Sequence, residues 1–308
     1  MPETTVLLPS RDGWPLLRQA VTSTLADIGT DHDAELLVID DGSTDETRNW
    51  LDGLRHERRL HVIHTGGVGL PAALNAGLAA TDSTYVARMD ADDIWLPGRL
   101  ATQLSAMVRQ PDLAAVGCQI VRVVGGVELG ASSLPTAHPA IVEALLRGHH
   151  AICHPSVLMR RAAVDAVDRY WQEGVAEDFD LFLRMSSVGR LANLPEVGLK
   201  YRIHGSGINA SRQYEVQKRM AFSTATYRLP REACSYEAFE AALRENRIRA
   251  LNLRRKAVAL SAYRAGLVAS HGDRRLRGRL QLLGSALLMP ERAGQRISRW
   301  ATGGRHRL

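Results

Sequence analysis

Five short apolar, β-rich runs recur through the first half of the chain: Thr5 to Leu8, Glu35 to Ile39, Leu60 to His64, Tyr85 to Met89 and Ala114 to Val124. Helix-like stretches of about a dozen residues lie between them. This alternation predicts an α/β fold with a mainly parallel sheet flanked by helices. Ser43 and Glu46 have the spacing of a capping box, and Trp50, Leu51 and Leu54 then form an apolar stripe. Leu70, Leu74 and Leu78 repeat on one helical face, and Pro97 opens a further helix. Two acidic clusters, Asp40-Asp41 and Asp90-Ala91-Asp92-Asp93, stand where β-runs end. Open α/β sheets bind ligands beyond the carboxyl ends of their strands, so these carboxylates are expected to face a cleft.

The second half reads differently. Gly125 to Leu134 reads as a loop, Pro139 to Arg147 as a helix and His154 to Met159 as a strand. A helix from about Asp178 places Leu181, Phe182, Met185 and Val188 on one face, and Leu191 to His204 is extended. Beyond Asn209 the pattern is wholly helical, through Ala238 to Ala269 and Arg274 to Met289. A boundary near residues 210 to 230 divides the chain into a catalytic-size domain, 1–215, and an all-helical extension, 216–308. Charge divides it in the same place. Residues 241 to 308 hold sixteen Lys or Arg against three acidic residues, a net +13, which leaves −7 on the rest of a chain whose total is +6. A basic tail of this kind seeks anionic surfaces. No window approaches the roughly 18 to 20 apolar residues of a membrane span, and Met1 to Leu8 lacks a basic flank. Three cysteines form no even disulfide framework and no Cys-x-x-Cys pair, so a reducing cytoplasm is the expected setting.

The carboxylates carry the chemistry. Asp90, Asp92 and Asp93 are crowded enough to raise one another's pKa unless a cation compensates. Hard oxygen ligands suit Mg²⁺ or Mn²⁺, ions that complete their shells with substrate phosphates. The alternative is a solvated turn in which Asp93 caps the helix after Pro97. Asp40 and Asp41 fit either contacts to a nucleoside or capping of the next helix. Asp178, beside Glu177 at a helix start, serves as a general base or as a favourable charge at the helix N-terminus. His204 is a metal ligand or an ordinary packed histidine. His149, His150, Cys153 and His154 match no standard zinc spacing. Gly67, Gly69 and Ala72 fit G-x-G-x-x-A, which raises a dinucleotide-dependent oxidoreductase as the rival function, although Pro71 interrupts the motif.

Six segments, in chain order, resemble the marks of the family 2 glycosyltransferases of the GT-A (Rossmann-like) fold, over about residues 4 to 210. They are Leu7-Leu8-Pro9-Ser10-Arg11-Asp12, Val38-Ile39-Asp40-Asp41-Gly42-Ser43-Thr44-Asp45, Met89-Asp90-Ala91-Asp92-Asp93, His154-Pro155-Ser156-Val157, Ala176-Glu177-Asp178-Phe179-Asp180-Leu181 and Tyr201-Arg202-Ile203-His204. The resemblance implies a metal-dependent, inverting enzyme that moves a sugar from a nucleotide-diphosphate donor to a hydroxyl of a saccharide, lipid-linked or polymer acceptor in cell-envelope synthesis. It implies that Pro9, Ser10 and Arg11 line the base pocket and that Asp41 bonds the base. Asp90 and Ala91 would lie at the ribose, and Asp92 would bind Mn²⁺ or Mg²⁺ with His204 as an added ligand. Arg202 would neutralise the leaving diphosphate, Asp178 would act as the base, and Glu177 and Asn75 would complete the substrate-binding set. Many relatives have Asn and Arg where this chain has Gly67 and Leu74, and Asp12 replaces a common Asn.

Leu280, Leu282, Leu283, Leu287, Leu288 and Met289 interleave with arginines in the tail, as in a cationic amphipathic helix suited to an anionic bilayer at the inner membrane face. The alternative is a helical subdomain with solvated arginines. Nucleic acid is not an expected partner, since aromatic content is 5% and no stacking platform is evident.

Overall fold

A computed structural model of the chain describes residues 2–29, 32–54, 56–171, 175–203, 212–271 and 275–289. It divides into two compact units. The first comprises Met1–Arg122, Glu128–Arg202 and Ser223–Arg228, and the second Val123–Val127, Ile203–Phe222 and Leu229–Leu308.

A nine-stranded sheet organises the first unit. Its strands are β1 (Thr4–Ser10), β2 (Ala34–Asp40), β3 (Leu60–His64), β4 (Tyr85–Arg88), β5 (Ile94–Trp95), β6 (Leu113–Val124), β7 (Val127–Ala131), β8 (Leu158–Arg160) and β9 (Arg190–Arg202). The order is β3-β2-β1-β4-β8-β6-β9-β5, with β7 paired to β6. The expected helix-flanked α/β sheet is present. It is parallel across β3-β2-β1-β4 and is extended by the antiparallel pairs β4–β8, β8–β6 and β5–β9. All of β1 and nearly all of β2 are buried, as parallel strands covered on both faces must be. Register aligns Ser10 with Asp40, Asp40 with His64 and Leu7 with Arg88, so the carboxyl ends of four strands open on one edge.

Helices α1 (Leu16–Ile28), α2 (Thr47–Asp52), α3 (Leu70–Ala79), α4 (Arg99–Arg109), α5 (His138–Leu146), α6 (Arg161–Ala166) and α7 (Glu177–Met185) belong to this unit. Leu17, Ala20, Val21, Thr24 and Ile28 are the buried stripe of α1. Gly77 lets α3 close on the sheet, because a Cβ there would lie 2.9 Å from Ile39 Cδ1 and 3.1 Å from Leu7 Cδ2.

Three local expectations fail for tertiary reasons. The Ser43–Glu46 capping box does not form: α2 starts at Thr47 without a side-chain cap, and Ser43 Oγ accepts from the Asp12 amide at 2.9 Å. Asp93 does not cap α4. Asp27 of α1 does, accepting from the Gly98 amide, from the Leu100 amide at 3.0 Å and from Trp95 Nε1 at 2.6 Å. The stretch from Gly125 to Leu134 is not a loop throughout. Gly125 and Gly126, at φ 56° and 83°, turn the chain into β7.

In the second unit, α8 (Gln213–Thr226, to Phe222 in this unit), α9 (Tyr236–Glu245), α10 (Arg247–Ser270) and α11 (Arg275–Leu288) follow one another. Ser235 caps α9 through the Ala238 amide at 3.2 Å, and Asn246 caps α10 through the Arg249 amide at 3.0 Å. α10 and α11 pack antiparallel at two glycines. A Cβ on Gly266 would lie 2.9 Å from Leu282 Cγ, and one on Gly278 would overlap the Ser270 amide and lie 2.8 Å from its Cα.

Candidate active site

The acidic run leaves β4 and enters the two-residue strand β5, which pairs with β9 in a register that sets Ile94 opposite Lys200. Oxygens of Asp90, Asp92 and Asp93 thereby come within 4.8 Å of one another. Asp93 is fully buried; its Oδ1 accepts from the Arg202 amide at 2.8 Å, and its Oδ2 has no hydrogen-bond partner. Burial, then the charges of Asp90 and Asp92, push the Asp93 carboxyl well above the usual carboxylate range. Asp90 pairs with the buried Arg88 guanidinium at 2.6 Å, and the same cation offsets part of the rise at Asp93. A buried, unpartnered carboxylate oxygen among three converging carboxylates fits a hard divalent cation. Asp93 therefore groups with Asp90 and Asp92 rather than with the following helix. The Arg202 guanidinium donates to the Asp92 carbonyl at 2.6 Å and to Gln19.

Beside this cluster lie the ends of β1 and β2. Pro9 and Ser10 are buried, and Ser10 Oγ has no hydrogen-bond partner. A Cβ on Gly13 would overlap that hydroxyl and lie 3.4 Å from Ala91 Cβ, so the β1 end and Ala91 border one space. Arg11 is exposed, with its guanidinium over Gly67. Asp41 accepts from Thr65 Oγ1 at 2.6 Å and from the amides of Val68 and Gly69, both at 2.8 Å. Burial raises the Asp41 carboxyl, yet these donors outweigh it and hold it below the usual range. The same balance lowers Asp40, which binds the Ser43 amide at 3.0 Å and His64 Nδ1 at 2.9 Å. Gly67 and Gly69, at φ 77° and 88°, supply the left-handed backbone that wraps this turn around Asp41. The amides that a dinucleotide pyrophosphate would need thus serve a carboxylate, and the oxidoreductase reading is unsupported. Asp12, whose role was unassigned, binds the Thr44 amide at 2.7 Å and ties the β1 loop to the β2 loop.

A third group comes from α7 and the segment before β8. Ala176, in the left-handed region at φ 65°, starts α7 without a side-chain cap, so Asp178 is not spent on capping. Asp178 Oδ2 lies 3.6 Å from His150 Nδ1; the aspartate side chain is 16% exposed and the histidine 48%, so the carboxylate is largely buried beside a more exposed partner. Glu177 turns towards buried His154, 4.0 Å away, which bonds the Tyr170 hydroxyl at 2.8 Å. Burial and then Asp178 push Glu177 up to about 7. Burial also acts to raise Asp178, but His150 and His154 outweigh it, so Asp178 is the ionised member of the pair. His154 is held down at about 4 by burial and by Arg88. The charge of Asp90 reaches Glu177, His154 and Tyr170, which makes the two acidic groups one electrostatic neighbourhood.

Of the anticipated residues, Asn75 is engaged with backbone: its side-chain amide exchanges two hydrogen bonds with the Tyr170 main chain, at 2.9 and 3.1 Å. His204 lies outside the described residues. Arg88 and Tyr170 were not anticipated, and His150 was weighed only for zinc, not as the partner of Asp178. Only Arg88 left a signal, as an arginine inside an otherwise apolar β-run.

Over residues 5–168, just over half of the chain, the sequence matches the family model for glycosyl transferase family 2. An uncharacterized glycosyltransferase of Haemophilus influenzae is 29% identical over 211 residues, 63% of this chain and 65% of the relative. The amylovoran biosynthesis glycosyltransferase AmsE of Erwinia amylovora is 33% identical over 152 residues, 49% of this chain and 57% of the relative. The matches thus span less than two thirds of either relative. Among solved structures, S. aureus TarS 1-349 in complex with UDP superposes with TM-score 0.59 at 17% identity, covering 99% of this chain and 93% of that one. The mannosyltransferase PcManGT of Pyrobaculum calidifontis, in complex with GDP-Man and Mn²⁺, does so with TM-score 0.58 at 19% identity, covering 95% and 82%. At these identities the likeness is one of fold.

Proposed function

Because the chain belongs to glycosyl transferase family 2, we propose that it moves a glycosyl group, with inversion, from a nucleotide-diphosphate sugar to a hydroxyl of a cell-envelope saccharide or glycolipid acceptor. The observation that carries this reading is the pairing of an ionised Asp178 with the carboxylate cluster that holds the orphaned Asp93 oxygen. Support for the donor class comes from fold neighbours that carry UDP or GDP-Man. Amylovoran synthesis by a relative supports the acceptor class.

Asp178 receives the proton of the acceptor hydroxyl as that oxygen bonds to the anomeric carbon. The bond from that carbon to the diphosphate breaks, and its electron pair leaves with the nucleoside diphosphate. Glu177, pushed up to about 7, carries less negative charge beside the base than an ordinary carboxylate would below that pH. Asp90, Asp92 and Asp93 would hold Mn²⁺ or Mg²⁺, with His204 as a further ligand; when bound, the ion offsets charge on the departing diphosphate. Pro9, Ser10, Arg11 and Asp41 border the nucleoside side, where the unpaired Ser10 hydroxyl awaits a polar partner. Arg202 holds the acidic turn through the Asp92 carbonyl and stands at its rim. The domain split at residue 215 remains part of this proposal, as does a cytoplasmic, peripheral location in which the basic helices rest on an anionic membrane.

The test is transfer by the full chain from UDP-, GDP- and dTDP-sugars with Mn²⁺ or Mg²⁺. Asp178→Asn is expected to lower kcat by about 10² to 10⁴-fold with donor affinity little changed. Unimpaired turnover by that variant, or retention of anomeric configuration in the product, sinks the assignment.

A further inference from the structure

We propose that the outward face of α11, formed by Leu276, Leu280, Leu283 and Leu287, is the surface by which this chain lies on an anionic lipid bilayer. The proposal deepens the membrane reading above and rests on it.

The four leucines fall at i, i+4, i+7 and i+11, within an arc of about 60° on a helix of 3.6 residues per turn. They are 74%, 60%, 62% and 83% exposed. One exposed leucine is ordinary; four in register on one helix are not. They are not core residues turned aside, because α11 has a separate packing face. Gly278 is buried against Ser270, Leu282 sits on Gly266, and the following Met289 is buried. The continuous apolar face expected from the sequence therefore splits into a face packed on α10 and an outward face.

Charge selects the occupant. α10 carries six Lys or Arg and α11 three, and neither helix contains Asp or Glu. Arg275, Arg277 and Arg279 flank the leucines on α11. A second copy docking two-fold on this face would set arginine against arginine with no acidic residue on these helices to relieve it. Phosphate head groups above an acyl layer supply what both parts of the face lack, anions at the flanks and an apolar phase at the centre. No described helix is long and apolar enough to cross a membrane, so the mode is interfacial.

The test uses the full chain and sedimentation with phosphatidylcholine vesicles, with and without phosphatidylglycerol, at low and high salt. Wild type is expected on the anionic vesicles only, with binding weakened but not abolished by salt. Replacing all four leucines by glutamine is expected to weaken binding about tenfold or more, since hydrophobic insertion and charge act together. An unchanged thermal transition shows that the fold persists, as expected for exposed positions. Arg275→Gln with Arg277→Gln and Arg279→Gln removes flanking charge alone and is expected to lessen the salt dependence, the cations of α10 remaining. Equal binding by wild type and the leucine variant overturns this inference but leaves the membrane reading. No binding by wild type at low salt overturns both. A wild-type oligomer that the leucine variant dissolves assigns the face to a second copy and overturns the inference.

Discussion

Asp93 is buried, has one unpartnered oxygen and faces two other carboxylates, so its raised pKa is a stability statement. A carboxyl whose folded pKa exceeds its unfolded one stabilises the fold below the unfolded pKa and loses that contribution as pH rises. Asp93→Asn is therefore expected to stabilise the metal-free protein more at pH 8 than at pH 4, as read by urea unfolding at the two pH values. It should also remove Mn²⁺-dependent stabilisation by donor nucleotides. Glu177 follows the same sign over a defined window, from 4.5 up to about 7. Glu177→Gln should flatten the loss of stability across that window, a difference of up to about 3 kcal/mol. His150 acts through Asp178. His150→Gln removes the neighbour that most lowers the Asp178 carboxyl, so the acid limb of kcat/KM against pH should move upward. A uniform rate loss without that movement would make the histidine merely structural.

At the level of elements, α9 and α10 are capped by their own preceding residues, whereas the start of α4 is secured from elsewhere in the fold. α4 begins after Gly98, and its free amides are taken by Asp27, 71 residues earlier. Asp27→Ala leaves two amides and the Trp95 indole without this partner, an expected loss of about 1 to 3 kcal/mol in chemical denaturation. The α10–α11 hairpin depends on the reverse property, the absence of a side chain. At Gly278 any Cβ meets the Ser270 backbone, which cannot swing aside, so Gly278→Ala should cost about 1 to 3 kcal/mol and open the hairpin to proteolysis. Capping-box spacing at Ser43 misleads for a related reason: the hydroxyl is within reach of the β1 loop and bonds Asp12 instead.

Over the whole molecule, the donor–metal reading has a simple thermodynamic signature. A nucleotide that binds only the folded, metal-loaded chain stabilises it by about 2.7 kcal/mol at a hundred times its Kd. UDP or GDP with Mn²⁺ should raise the melting transition by several degrees, and a chelator should cancel the rise. The α/β alternation, the edge at which the strands end and the acidic body with its basic helices were all legible in the sequence. Each depends on periodicity, on punctuation or on summed charge, which neighbours along the chain largely decide. Carboxylate partners were not legible. Asp93 meets Arg202 across 109 residues, and Asp41 closes a turn 24 to 28 residues on. A carboxylate bonds whichever donor the fold brings within about 3 Å. Sequence alone therefore determined where the charges emerge from the sheet, and the tertiary structure decided which became caps, which hold loops and which remain open for chemistry. The same division applies to the tail: its amphipathic composition is local, but only packing against α10 decided which leucines stay outside.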